Sequence, residues 1–111
     1  MREDELGPVI ARRMFDCGEN NELLEIGAPY LVEGHTDYLC PYRINGLGDG
    51  RVHHIGGVDS MQALSLAMRS AAHALSAASA RQNDKITWFG QQDFGIPILN
   101  DIADLTPPDD E

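Results

Sequence analysis

The chain is poor in aromatic and in basic residues. Phe, Trp and Tyr make up 6% of its 111 residues, with one tryptophan, Trp88. A core with so few rings has to be aliphatic, filled out by alanine and methionine. Lysine and arginine number 8 against 18 acidic residues, a formal net charge of −10. That balance argues against nucleic-acid binding by phosphate neutralisation and against attraction to an anionic membrane. Cysteine is limited to Cys17 and Cys40, too few for a disulfide framework. Reduced thiols in a cytoplasmic protein are the expectation, and one bridge between the pair stays open. No apolar run approaches the about 20 residues of a membrane-spanning helix. The charged opening Met1–Glu5 does not read as a secretory leader.

What is present is a hydrophobic fraction of 42% and a charged fraction of 23%, ordinary for a globular protein. The length predicts a single domain over 1–111, with an ordered core at 8–99 and flexible tails at 1–7 and 104–111. Pro8–Asp16 reads as a first strand, with Val9, Ala11 and Phe15 on one face and Ile10 and Met14 on the other. Turn residues Cys17–Asn21 lead to a second strand, Glu22–Gly27, which turns Leu24 and Ile26 to one side. Residues 28–35 read as a loop or irregular strand. Asp37–Ile44 reads as a third strand with Cys40, Tyr42 and Ile44 inward and Asp37, Leu39 and Arg43 outward. Pro41 lacks an amide donor, which predicts an edge position or a bulge. The glycine-rich run Asn45–Gly50 predicts a hairpin into a fourth strand, Arg51–Gly57.

The segment Gly56-Gly57-Val58-Asp59-Ser60-Met61-Gln62 then marks a strand end and a capped helix start. Asp59 is a good N-cap, and Gln62 stands where a capping box needs it. The helix is predicted from Ser60 to about Gln82. Met61, Leu64, Met68, Ala71, Leu75 and Ala78 follow a three-four spacing and form the expected core stripe. Ala63, Leu66, Ser70, Ala74 and Ala77 then make an outer face of small and apolar residues, with little charge. These five are the candidate interface residues, to be covered by the C-terminal segment or by another protein. Lys85–Gly90 reads as a short further strand, and Phe94–Leu99, broken by Pro97, as a packed arm.

No catalytic, cofactor or metal set follows from the residues. The glycines at 46–50 lead into a strand rather than a helix, so they do not form a phosphate loop. The helix start behind Gly56 and Gly57 already carries the negative Asp59. His53 and His54 are adjacent in a strand and point to opposite faces. His53 with His35, or His54 with Cys40, has no recognised zinc spacing. Cys40 as a nucleophile is opposed by its inward position, because a thiol in an apolar setting is inert.

The runs Cys40-Pro-Tyr-Arg-Ile-Asn-Gly-Leu-Gly48 and Gly57-Val-Asp-Ser-Met-Gln-Ala-Leu64 resemble the signatures of a small bacterial family, a domain of unknown function. Ile86–Gly90 and Phe94–Pro97 resemble its ending, so the resemblance covers about 8–98. It implies the strand–helix order and no activity. The expected fold is α+β: an antiparallel sheet of about four strands, one long helix on one face, and a short C-terminal extension. The expected role is a non-enzymatic protein-interaction module that binds a protein partner or self-associates. Alternatives are an immunity-type antitoxin that neutralises a basic toxin, and a small enzyme or metal-binding protein using His53, His54, His35 and Cys40.

Overall fold

The computed structural model describes residues 5–46, 50–81, 85–91 and 94–97. Its elements are β1 (Val9–Cys17), β2 (Asn20–Gly27), β3 (Tyr30–Leu31), β4 (Tyr38–Asn45), β5 (His53–Gly57), α1 (Ser60–Ala80) and β6 (Ile86–Thr87). All strand pairs are antiparallel, in the order β3-β4-β2-β1-β6, with β5 also on β4. The architecture is α+β, one helix on an antiparallel sheet. The sheet has six strands rather than about four. The additions are the two-residue pieces β3 and β6. The first lies within the stretch read as irregular, the second within Lys85–Gly90.

Local chemistry explains the turns. Gly18, at φ 61°, opens the two-residue link between the paired Cys17 and Asn20. The β4–β5 hairpin forms as the glycine run predicts, pairing Tyr42 with His53 and Tyr38 with Gly57. Leu47, Gly48 and Asp49 at its tip lie outside the described residues, as do 1–4, 82–84, 92–93 and 98–111. The expected tails fall largely there. After β6, Trp88 and Gln91 exchange backbone hydrogen bonds of 2.8 and 3.0 Å around Phe89 and Gly90. Both central residues have positive φ, 51° and 77°, the type I′ pattern.

Two irregularities re-aim the chain. Pro41 is not on an edge strand, since β4 is paired on both sides. Gly27, Ala28 and Pro29 instead stand opposite Cys40 and Pro41, between the pairs Ile26–Tyr42 and Tyr30–Leu39. One extra residue there is a bulge, and it falls where proline offers no donor. In β1 the register shifts between Val9 and Ala11, which puts Val9 across from Gly27 and Ala11 across from Ile26. Val9 therefore leaves the face that Ala11 shares with Phe15.

Helix α1 starts as expected. Asp59 Oδ1 accepts the Gln62 amide at 2.8 Å, and Gln62 Oε1 accepts the Val58 amide at 2.8 Å. The helix ends at Ala80, two residues short of Gln82. Its buried face is Ala63, Ala67, Ala71, Ala72, Leu75 and Ala78. The expected stripe is thus rotated. Met61 is 78% exposed, and Leu64 and Met68 are half-buried flanks. Gly57 is the reason. A Cβ there would sit 2.8 Å from Ala63 Cα and 2.9 Å from the Gln62 carbonyl carbon. Bare backbone on β5 and alanine on α1 bring helix and sheet closer than methionine and leucine would permit. Opposite the alanines lie Phe15, Leu24, Ile26, Cys40, Tyr42 and Ile44, with Ile86 and Phe94 closing one end.

Candidate functional site

The histidine and cysteine candidates are not brought together. His53 stacks on Tyr42, with centroids 5.2 Å apart and planes 25° apart. Tyr42 in turn shares a 2.8 Å hydrogen bond with Ser70 of the helix. His54, on the opposite face, lies edge-on to Tyr30 with its Nδ1 3.2 Å from the Tyr30 hydroxyl. Partial burial raises the pKa of that phenol. His35 is exposed on the loop between β3 and β4. Cys40 is fully buried, its Sγ donating to the Gly27 carbonyl at 3.5 Å. Burial pushes this thiol up to about 11, which keeps it protonated and non-nucleophilic at neutral pH. Among the described residues no three His, Cys, Asp or Glu side chains converge on a metal-sized site.

The two cysteines occupy opposite ends of the sheet. Cys17 pairs with Asn20 at one end of β2, while Cys40 lies beyond Ile26 at the other. At about 3.4 Å per residue they are roughly 25 Å apart, far outside the about 7 Å that a disulfide tolerates. The bridge left open by the sequence does not form in this fold.

The five helix candidates do not share one outer face. Ala63 is fully buried against the sheet, and Ser70 is turned to Tyr42. Leu66 is half-buried, whereas Ala74 and Ala77 are exposed. The rotation of the helix separates them.

A surface that the sequence reading did not single out lies on the other side of the sheet. Among the described residues the helix covers one face. On the opposite face Leu6 sits over Gly27 beside Pro41, and Ala28 N donates to Pro8 O at 2.8 Å. Among the described residues no other segment covers that face. Arg12, Glu25 and Arg43 form a row across β1, β2 and β4. Arg43 Nη2 donates to Glu25 Oε1 at 2.7 Å, Asn45 Nδ2 reaches the same oxygen at 3.4 Å, and Arg12 Nη2 lies 3.9 Å from Glu25 Oε2. Beside the row, Met14 and Leu23 face each other across the strands, with Met14 52% exposed. The signal was present: Arg43 reads as outward, and strand pairing supplies the acid opposite it.

Arg13 is the second residue missed. It stands between Ala11 and Phe15 on the helix-side face, an unusual place for a guanidinium. Its Cζ lies 4.0 Å from the centroid of the Trp88 ring, and its Nη1 donates to Phe94 O at 3.0 Å and Gly95 O at 2.9 Å. Gly95, at φ 68°, presses its Cα against the same indole, where no side chain fits. Phe94 then meets Phe15 edge-on at 5.4 Å. One arginine thus fastens the C-terminal segment to β1. Glu22 was also unread. It is fully buried across from Phe15, with Gly46 packed so tightly on its carboxyl group that only glycine fits.

Residues 11–98 match the family model DUF6968, a domain of unknown function. The chain belongs to the DUF6968 family. The match spans the first strand through the Trp88 hairpin and the arm at 94–97, the elements joined by Arg13. No curated protein and no solved structure matches the chain.

Proposed function

We propose that this DUF6968 domain is a protein-interaction module that pairs with a second copy of itself through the uncovered sheet face. The observation that carries this reading is the pairing of exposed Met14 and half-buried Leu23, beside a row of alternating charge, Arg12–Glu25–Arg43. A two-fold interface places one patch against itself, so it has to be self-complementary. A surface with both charge signs meets that condition, where a face of one sign would repel its copy. The apolar part supplies the area term, and the row sets orientation. Light scattering on the eluting protein over a concentration series tests the proposal. The native chain is expected at the mass of a dimer and Met14→Lys at the mass of a monomer. A native chain that stays monomeric at high concentration refutes it.

A further inference from the structure

A second surface lies at the opposite end of the molecule from the Trp88 hairpin. The loop after β3, the start of β4 and the β5–α1 junction enclose an open groove of about 410 Å³, lined by Val32, His35, Asp37, Tyr38, Val58 and Gln62 among others. That volume lies within the about 300–1,000 Å³ of ligand clefts. Two of the large hydrophobic residues that the described surface exposes lie on or beside it. Val58 lines it at 69% exposed. Leu31, next to Val32 and across from Tyr38, is 53% exposed. Exposed apolar residues clustered around a concavity mark a contact site, where scattered ones would not.

The charge around the groove has one sign. Residues 32–39 and 56–62, which supply its walls, contain no lysine or arginine. They contain Glu33, Asp37 and Asp59, all exposed, of which Asp37 lines the groove and Asp59 caps the adjoining helix. The helix start gives no anion site, since Asp59 occupies it. An occupant that matches both features has an apolar side chain to fill the concavity and basic neighbours to meet the rim.

We infer that this groove docks a basic segment of a partner protein, with a leucine or phenylalanine as its anchor. The inference goes beyond self-association through the sheet face and uses none of the same residues. The groove is open to solvent, which suits an extended segment lying across it. Steering by the acidic surface raises the encounter rate and makes it salt-dependent.

The test uses the full chain, labelled with nitrogen-15, and two blocked hexapeptides. One has Phe-Leu between pairs of lysines, and the other replaces each lysine by glutamate. Amide shifts at Val32, Tyr38, Val58 and Gln62 are expected to saturate with the lysine peptide, with a Kd below about 1 mM. Asp37→Lys, an exposed substitution that leaves the core alone, is expected to weaken that binding roughly fivefold. Val58→Ser is expected to weaken it through the anchor. Equal binding of the two peptides, equal binding by native and Asp37→Lys proteins, shifts centred on Met14 and Leu23, or no shift at about 1 mM peptide each overturns the inference. Light scattering on the same samples reports self-association separately, so one reading can fail while the other stands.

Discussion

Gly56 and Gly57 are neighbours in β5 that differ in what an added methyl group would meet. At Gly56 a Cβ would find Leu39 Cδ2 at 3.7 Å and the Tyr38 carbonyl oxygen at 3.9 Å, ordinary contacts. At Gly57 it would run into the Ala63 amide nitrogen and lie 2.8 Å from Ala63 Cα. Every close atom there is backbone of the first helical turn, so no side chain can swing away. Neither glycine has a positive φ, so alanine can adopt both backbone conformations. The comparison therefore isolates packing. Gly57→Ala has to push the helix off the sheet by several tenths of an ångström, which costs about 1–3 kcal/mol. Against a total of about 5–15 kcal/mol this is a large fraction. The midpoint of thermal unfolding should fall by roughly 5–15 °C. Gly56→Ala should be neutral, or stabilise by up to about 1 kcal/mol by restricting the unfolded chain. Urea unfolding followed by helical circular dichroism gives both numbers. Equal effects at the two positions, or an unperturbed Gly57→Ala, would show that the helix does not sit against β5 as described.

Three further outcomes follow from the packing. Arg13→Ala should cost about 1–3 kcal/mol, from one cation–π contact and two carbonyl hydrogen bonds, and should shift the emission of Trp88, the lone tryptophan, toward that of a solvated indole; unchanged emission would contradict the clamp. Phe89→Asn should raise stability by about 1 kcal/mol, because asparagine accepts the left-handed backbone that Phe89 holds at φ 51° while 82% exposed; a loss measured by urea unfolding would contradict that. The Cys40 thiol has its pKa raised from 9.0 to about 11, so the unfolded chain releases this proton at lower pH than the folded one. Stability from this group is therefore intact below about pH 9 and declines between 9 and about 11, and Cys40→Ala should flatten that decline in pH-dependent unfolding.

Strand alternation was legible where inward residues were large. Leu24 and Ile26, then Cys40, Tyr42 and Ile44, face the helix as their spacing predicts. The Asp59–Gln62 start was equally plain, because capping depends on residues close in sequence. The helix orientation was not legible. Hydrophobic weighting favours Met61, Leu64 and Met68, yet the closest approach in the core needs small residues, and a glycine on another element decided the outcome. The short strands β3 and β6 were hard to see for a related reason. A two-residue strand has no periodicity, and each owes its existence to a partner far away in the chain. The uncovered face required pairing register, since Arg12, Glu25 and Arg43 become a row only once the strands are aligned. Arg13 did leave a trace, a charge in an inward slot, but its partners lie some eighty residues on.

That last distance has a consequence for biosynthesis. The opening strand gains its outer neighbour from Ile86–Thr87, and Phe15 gains its ring partner from Phe94. A nascent chain halted before these residues leave the ribosome presents an unfinished sheet border and a bare phenylalanine. Completion waits until residues 86–95 have emerged, so truncations that remove the clamp should be cleared by cellular proteases, even though they keep both main hairpins and the helix.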